Sequence, residues 1–193
     1  MHIGVFGGSF DPPHNGHLAL SLFARELLDI DRIIISVSNN PFKLNHSVAD
    51  LHRARMSELL AQEINETGVC CEASLWELQQ QQPSYTVDLL RHINASYPFD
   101  KLTLLIGEDN FTEFPLWKEP ETLVALCDIV VFRRALIDGI PRRSDENAAA
   151  RFINYHYPVS STDVRVLASS GKSLSRLVPP SIHYYIEEQA LYQ

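Results

Sequence analysis

Short apolar runs alternate with amphipathic stretches along this chain, an arrangement that predicts parallel strands joined by helices. Residues 2–6 form one apolar run, and Arg32 to Ser38, with three consecutive isoleucines, forms another. Runs without a polar face suit strands covered on both sides. Leu102 to Ile106 and Ile129 to Phe132 repeat the pattern, while Val69 to Glu77 and Phe152 to Val159 supply a third and a sixth strand in chain order. Between them, Leu20, Phe23, Ala24, Leu27 and Leu28 keep a helical rhythm from His17 to about Leu28. Leu51, Met56, Leu59, Leu60 and Ile64 carry a second helix, opened by a Ser47-x-x-Asp50 capping box and closed by Gly68. Ser84 or Thr86 caps a helix toward Tyr97, and Pro120 starts a short one ending near Cys127. Ser160, Ser161 and Thr162 cap a helix through about Leu167, and the last helix spans Pro180 to Leu191. The expected fold is α/β, a doubly wound and mostly parallel sheet with flanking helices and a small C-terminal helical part from about residue 160.

Sheets of this kind bind ligands beyond the carboxyl ends of their strands. The turns at Gly7 to His17, Asn39 to Lys43 and Gly107 to Asp109 all follow strand ends and are expected to share one rim. The first carries the strongest signal: Gly7, Gly8, Ser9, Phe10, Asp11, Pro12, Pro13, His14, Asn15, Gly16 and His17. Paired glycines allow close approach of a ligand to the backbone, and prolines stiffen the turn. His14 and His17 at a helix start can donate to phosphate oxygens, beside backbone N–H groups that attract anions. Ser160 to Arg165 is a second helix start rich in hydroxyls, with Arg165 one turn on as a planar fork for phosphate. By position on the rim Lys43 is either a phosphate contact or a solvated lysine; Asp109 is a partner for ribose hydroxyls or a helix cap, and Trp117 a core residue or a stacking platform for a flat heterocycle.

Composition narrows this little. At 193 residues the chain suits one α/β domain, 1–193, and a net charge of −8 argues against a general nucleic-acid binder. A locally positive pocket for a small anion is compatible with that charge. Cys70 and Cys71 point to opposite faces of a strand, and with Cys127 they show no metal spacing. Reduced, buried thiols and the lack of a signal-peptide pattern or membrane-length apolar run predict a cytoplasmic protein with no membrane partner. Residues 135–150 are charged and weakly patterned, a loop expected to order on binding, as is Asn39 to His46.

Gly7 to His17 resembles the signature of the Rossmann-like adenylyltransferases. Pro83 to Asp88, Ile106 to Asp109, Trp117-Lys118, Ser160 to Arg165, and the Tyr184-Tyr185-Ile186 tail ending at Leu191-Tyr192 narrow the likeness to bacterial nicotinate-nucleotide adenylyltransferases across almost the whole chain. The resemblance implies transfer of AMP from ATP to nicotinate mononucleotide, with Mg²⁺ accompanying ATP. It implies His14, His17 and Arg165 as catalytic residues, with ATP held by these and by Gly7, Gly8, Ser9, Phe10, Lys43, Gly107, Asp109, Ser161 and Thr162. The mononucleotide would meet Ser9, Phe10, Lys43, Tyr85, Thr86, Asp109, Trp117, Lys118 and Arg134. No resident metal ligands are implied, and a homodimer is left open. Two departures fall on the acceptor side: Gln79 to Gln82 stand where the family often has arginine and glycine, and Arg134 is followed by Ala135 and Leu136 rather than Pro-Gly. Alternatives are the amidated mononucleotide, a sister acceptor such as phosphopantetheine or flavin mononucleotide, and a non-catalytic nucleotide sensor.

Overall fold

Among the described residues six strands lie in one sheet in the order β3-β2-β1-β4-β5-β6, every neighbouring pair parallel. They are β1 (His2–Gly8), β2 (Arg32–Val37), β3 (Cys71–Ser74), β4 (Lys101–Gly107), β5 (Asp128–Arg133) and β6 (Arg151–Asn154). The computed structural model describes residues 1–40, 46–133 and 150–193. Seven α-helices are among them: α1 (Asn15–Leu28), α2 (Asp50–Asn65), α3 (Thr86–Ser96), α4 (Glu108–Thr112), α5 (Pro120–Leu126), α6 (Ser161–Ser169) and α7 (Pro180–Glu188). The expected α/β doubly wound architecture is the one observed.

The alternation of side chains along each strand builds two apolar layers. Phe6, Ile33, Ile35, Leu105 and Val130 pack on one face with Leu20 and Ala24 of α1, Met56 and Leu60 of α2, and Ile182 and Ile186 of α7. Ile3, Val5, Ile34, Leu104 and Val131 pack on the other with Val87, Leu90 and Ile93 of α3 and Leu123 of α5. The three isoleucines of β2 are thus divided between both layers, as a strand covered on both sides requires. Strand order reverses at β1, whose neighbours are β2 and β4. The carboxyl ends of β1 and β4, at Gly8 and Gly107, therefore flank the crevice where a ligand fits.

Several local expectations change. Ser47 does not cap α2: Ala49 is the N-cap and makes no side-chain bond. The Ser47 amide instead donates to Asp11 Oδ2 at 2.6 Å. Neither Ser84 nor Thr86 caps α3; Tyr85 holds that position without a side-chain bond, because the Ser84 hydroxyl is turned to Glu77. The third strand is only Cys71–Ser74, since the chain bends into a 3₁₀ turn at Glu77–Gln79, and the sixth is only Arg151–Asn154. The last helix ends at Glu188, with Ala190 and Tyr192 both at positive φ. Cys71 and Cys127 are buried, but Cys70 is only partly so, its sulfur taking a bond from Arg25 Nη1 at 3.1 Å. Among the described residues no helix is long and apolar enough to cross a membrane.

Candidate active site

Two cavities adjoin at the carboxyl ends of the central strands. The larger, about 320 Å³, is lined by Gly7, Gly8, Ser9, Phe10, His14, His17, Gly107, Asp109 and Ser161, with Tyr155 across from them. The smaller, about 50 Å³, shares Gly7 and Gly8 and adds Glu77, Thr86 and Trp117. Asn110 borders both. A Cβ at Gly7 would meet nothing within 4 Å, so the strand end lies open where the cavities meet.

The histidines owe their aim to a reciprocal cap. His14 is the N-cap of α1, and its Nδ1 accepts from the Gly16 amide at 3.1 Å. His17 Nδ1 in turn accepts from the His14 amide at 3.1 Å. An accepting Nδ1 puts the proton of a neutral imidazole on Nε2. The rings lie against each other, 3.8 Å between centroids and tilted by 31°, and Phe10 and Phe6 close around His17 at 5.1 and 5.8 Å. Burial, and then the neighbouring His14, hold the His17 pKa well below its ordinary value. His17 is therefore neutral at pH 7, a donor and not a charge. The expectation that backbone amides of α1 bind phosphate is not met: those of Asn15, Gly16 and His17 are committed to Leu177, His14 Nδ1 and His14.

The turn before α1 is held from several directions. Phe10 adopts positive φ (48°), a conformation costly for a large side chain, and its ring is 2% exposed. A Cβ on Gly8 would stand 3.0 Å from that ring, so the glycine makes the fit possible. Buried Arg53 of α2 donates to the Ser9 and Ser38 carbonyls at 2.9 and 3.1 Å, tying the ends of β1 and β2 together. Asp11, 5% exposed, accepts from the Ser47 amide and from the Tyr192 hydroxyl at 2.6 and 2.8 Å. Burial, then Asp11, push the Tyr192 pKa up, which keeps the phenol a donor.

α6 docks on the same turn. Ser160 caps it reciprocally with Asp163. Ser161 Oγ donates to the Pro12 carbonyl at 2.8 Å, and Arg165 Nη1 donates to the Asp11 carbonyl at 2.7 Å. Arg165 Nη2 also reaches Thr162 Oγ1 at 3.1 Å. Ser161 thus lines the larger cavity, whereas Thr162 and Arg165 stand beside it and are not part of its wall. The amides of Ser161 and Thr162 make no hydrogen bond among the described residues, so this helix start keeps the anion-binding character that α1 has lost.

The smaller cavity is bounded by the start of α3 and by Trp117. With no side-chain cap on α3, the Thr86 and Val87 amides have no partner among the described residues. Trp117 is half-buried, 5.5 Å from the Phe114 ring. Tyr85 and Lys118 do not line this wall; Lys118 Nζ pairs with Asp88 at 3.0 Å and lies 4.9 Å above the Tyr85 ring. Asp109 reaches the larger cavity from the first turn of α4, a helix the periodicity did not reveal. Positions 41–45, with Lys43, and 134–149, with Arg134, lie outside the described residues.

Arg53, Glu77 and Tyr155 were not singled out from the sequence. Arg53 had a readable signal: it stands three residues before Met56 and seven before Leu60, a charge on an apolar face. Glu77 and Tyr155, whose hydroxyl donates to the Gly16 carbonyl at 3.2 Å, had none.

A parallel sheet with two facing helix starts at its switch point defines a nucleotide-binding α/β protein. The profile of the cytidylyltransferase-like family matches residues 5–167, and the chain belongs to that family. A relative from Pelodictyon phaeoclathratiforme bearing the name "Probable nicotinate-nucleotide adenylyltransferase" is 58% identical over 196 residues, covering 100% of this chain and 92% of its own. One of the same name from Chlorobaculum tepidum is 51% identical, covering 100% and 99%. Within the larger family, the chain is a member of the nicotinate-nucleotide adenylyltransferases. The fold matches the solved Plasmodium falciparum nicotinic acid mononucleotide adenylyltransferase complexed with NaAD, at TM-score 0.76 and 19% identity, covering 99% of this chain and 97% of that one.

Proposed function

We propose that the protein transfers AMP from ATP to nicotinate mononucleotide, forming deamido-NAD and releasing pyrophosphate. The observation that carries this is the junction of two unequal cavities at Gly7 and Gly8, one faced by both imidazoles and one by Trp117 and the α3 amides. Membership in the nicotinate-nucleotide adenylyltransferases supports the choice of acceptor. ATP occupies the larger cavity, its base and ribose toward Gly107 and Asp109 and its triphosphate between His14, His17 and the start of α6. Arg165 meets the outer phosphates after leaving the Asp11 carbonyl. The pyridine ring stacks on Trp117, and its carboxylate takes the Thr86 amide and hydroxyl. Lys43 and Arg134 are assigned to the two sites, Ser9 and Phe10 meet the acceptor from the wall of the larger cavity, and Tyr85 and Lys118 stand beside the acceptor cavity.

The acceptor phosphate is the nucleophile, largely dianionic at pH 7 with a second pKa of about 6. One of its oxygens bonds to the α-phosphorus of ATP, and the α–β bridging bond breaks to release pyrophosphate. No general base is required. The protein aligns two anions and supplies fixed donors to the charge that builds on the α-phosphoryl and bridging oxygens. A neutral His17 does this without giving up a proton. Among the described residues no group of three or more His, Cys, Asp or Glu could hold a metal ion. Mg²⁺ enters with the substrate, as MgATP, bound through phosphate and water in the way its hydration favours. The protein acts as a single nucleotidyltransferase domain, residues 1–193, in the cytoplasm.

Pyrophosphate release with ATP and nicotinate mononucleotide, against the amide, phosphopantetheine and flavin mononucleotide, tests the assignment. Higher kcat/KM for a rival acceptor would reassign the substrate, and ATP binding without turnover of any acceptor would make the protein a sensor. Trp117→Ala is expected to raise KM for the mononucleotide by about tenfold, the loss of one stacking contact, while KM for ATP stays within about twofold. Equal changes in both would return Trp117 to a packing role.

A further inference from the structure

The wall of the smaller cavity includes a carboxylate that the chemistry above does not use. Glu77 is 4% exposed, and each of its oxygens accepts one serine hydroxyl: Ser36 on Oε1 and Ser84 on Oε2, both at 2.8 Å. Ser36 and Ser84 are themselves buried. A second set of bonds runs in parallel, from Asn39 Nδ2 to the Glu77 carbonyl at 3.3 Å and from the Ser84 amide to the Asn39 carbonyl at 3.2 Å. One residue thus joins the end of β2, the 3₁₀ turn after β3 and the approach to α3. Residues 81–83, which separate that turn from Ser84, are exposed and cannot place α3 by packing.

We infer that Glu77 is a positioning residue for the acceptor: through Ser84 it sets where the α3 amides and Thr86 stand relative to Trp117. The inference rests on the acceptor site proposed above and goes beyond it: Glu77 borders that cavity, but with its oxygens taken by Ser36 and Ser84 it works through Ser84. A buried carboxylate without partners is costly, so Ser84 is held firmly. Its bond lies two residues before Thr86, close enough that freedom at Ser84 becomes misalignment of the helix start. Burial raises the Glu77 pKa while the two hydroxyls lower it, and the hydroxyls are oriented to stabilise the ionised form.

Ser84→Ala and Glu77→Ala, with Ser36→Ala as the comparison, test this by steady-state kinetics with both substrates varied. KM for nicotinate mononucleotide is expected to rise about tenfold in Ser84→Ala and further in Glu77→Ala, with KM for ATP and kcat within about twofold. Ser36→Ala removes the bond on the sheet side, leaves the Ser84 bond, and is expected to change the acceptor KM by less than about threefold. An unchanged acceptor KM in Ser84→Ala, or equal rises for both substrates, overturns the inference. If Glu77→Ala does not fold, Ser84→Ala decides alone. Should the wild-type protein prefer a different acceptor, the assignment of substrate falls, and the same comparison on that acceptor still decides the part played by Glu77.

Discussion

His17→Ala is expected to lower kcat by a hundredfold or more, about 3 kcal/mol on the barrier, in line with loss of one fixed donor to a developing anion. The ring is enclosed by Phe6, Phe10 and His14, so no other side chain of the cap can replace its Nε2–H. The substitution also deletes the bond from the His14 amide, a capping loss of about 1 kcal/mol in stability that urea unfolding measures separately. Near-normal kcat in a folded His17→Ala protein would remove this residue from the chemistry.

The lowered pKa of His17 adds a pH signature. The unfolded chain takes up a proton near pH 6.5, whereas the folded ring resists it to lower pH. Stability from this residue is therefore complete above about pH 6.5 and is lost as pH falls toward the folded value. The stability gap between wild type and His17→Ala is expected to shrink between pH 7 and pH 5, by at most about 1.4 kcal/mol per unit. Activity has the opposite character: protonation of His17 cannot cause a fall in rate between pH 6.5 and 8, because the ring is already neutral there.

Gly16→Ala carries the second large effect. A Cβ at Gly16 would stand 2.9 Å from both Cε1 and Nδ1 of His14. That ring cannot simply swing aside, because the Gly16 amide holds its Nδ1 and the His17 ring lies 3.8 Å away. The imidazole must tilt, its Nε2 leaves the position proposed to meet phosphate, and kcat is expected to fall about tenfold to a hundredfold. Alanine is better than glycine inside a helix by up to about 1 kcal/mol, so thermal stability should change little. Loss of activity with an intact melting temperature identifies displacement of His14 as the cause; full activity would mean the cap tolerates a methyl group.

Elements with an unambiguous pattern were legible before any coordinates. β1, β2, β4 and β5 are apolar on both faces, and the helix expected from His17 begins two residues earlier, at Asn15, inside the His-x-x-His motif. Features that depend on a distant partner were not. The Leu51 pattern suggested a core residue, yet it is 74% exposed while Arg53 is buried, because two strand-end carbonyls supply what that guanidinium needs. Phe23 and Leu27 of α1 are likewise 38% and 42% exposed, Phe23 stacking on Tyr155 at the edge of the sheet. The serines before α2 and α3 read as caps by spacing, but Asp11 claims the Ser47 amide and Glu77 claims the Ser84 hydroxyl across 36 and 7 residues.

Periodicity and turn chemistry alone determined the parallel α/β architecture and the place of the imidazole turn, since both are set by residues close together in the chain. Tertiary structure decided which donors face the crevice: imidazoles at α1, amides at α3 and α6, and an Arg165 committed to the Asp11 carbonyl. The physical reason is competition for hydrogen bonds. A polar group goes to the partner that burial brings within reach, and for Arg53, Asp11, Glu77 and Tyr192 that partner comes from another element of the fold.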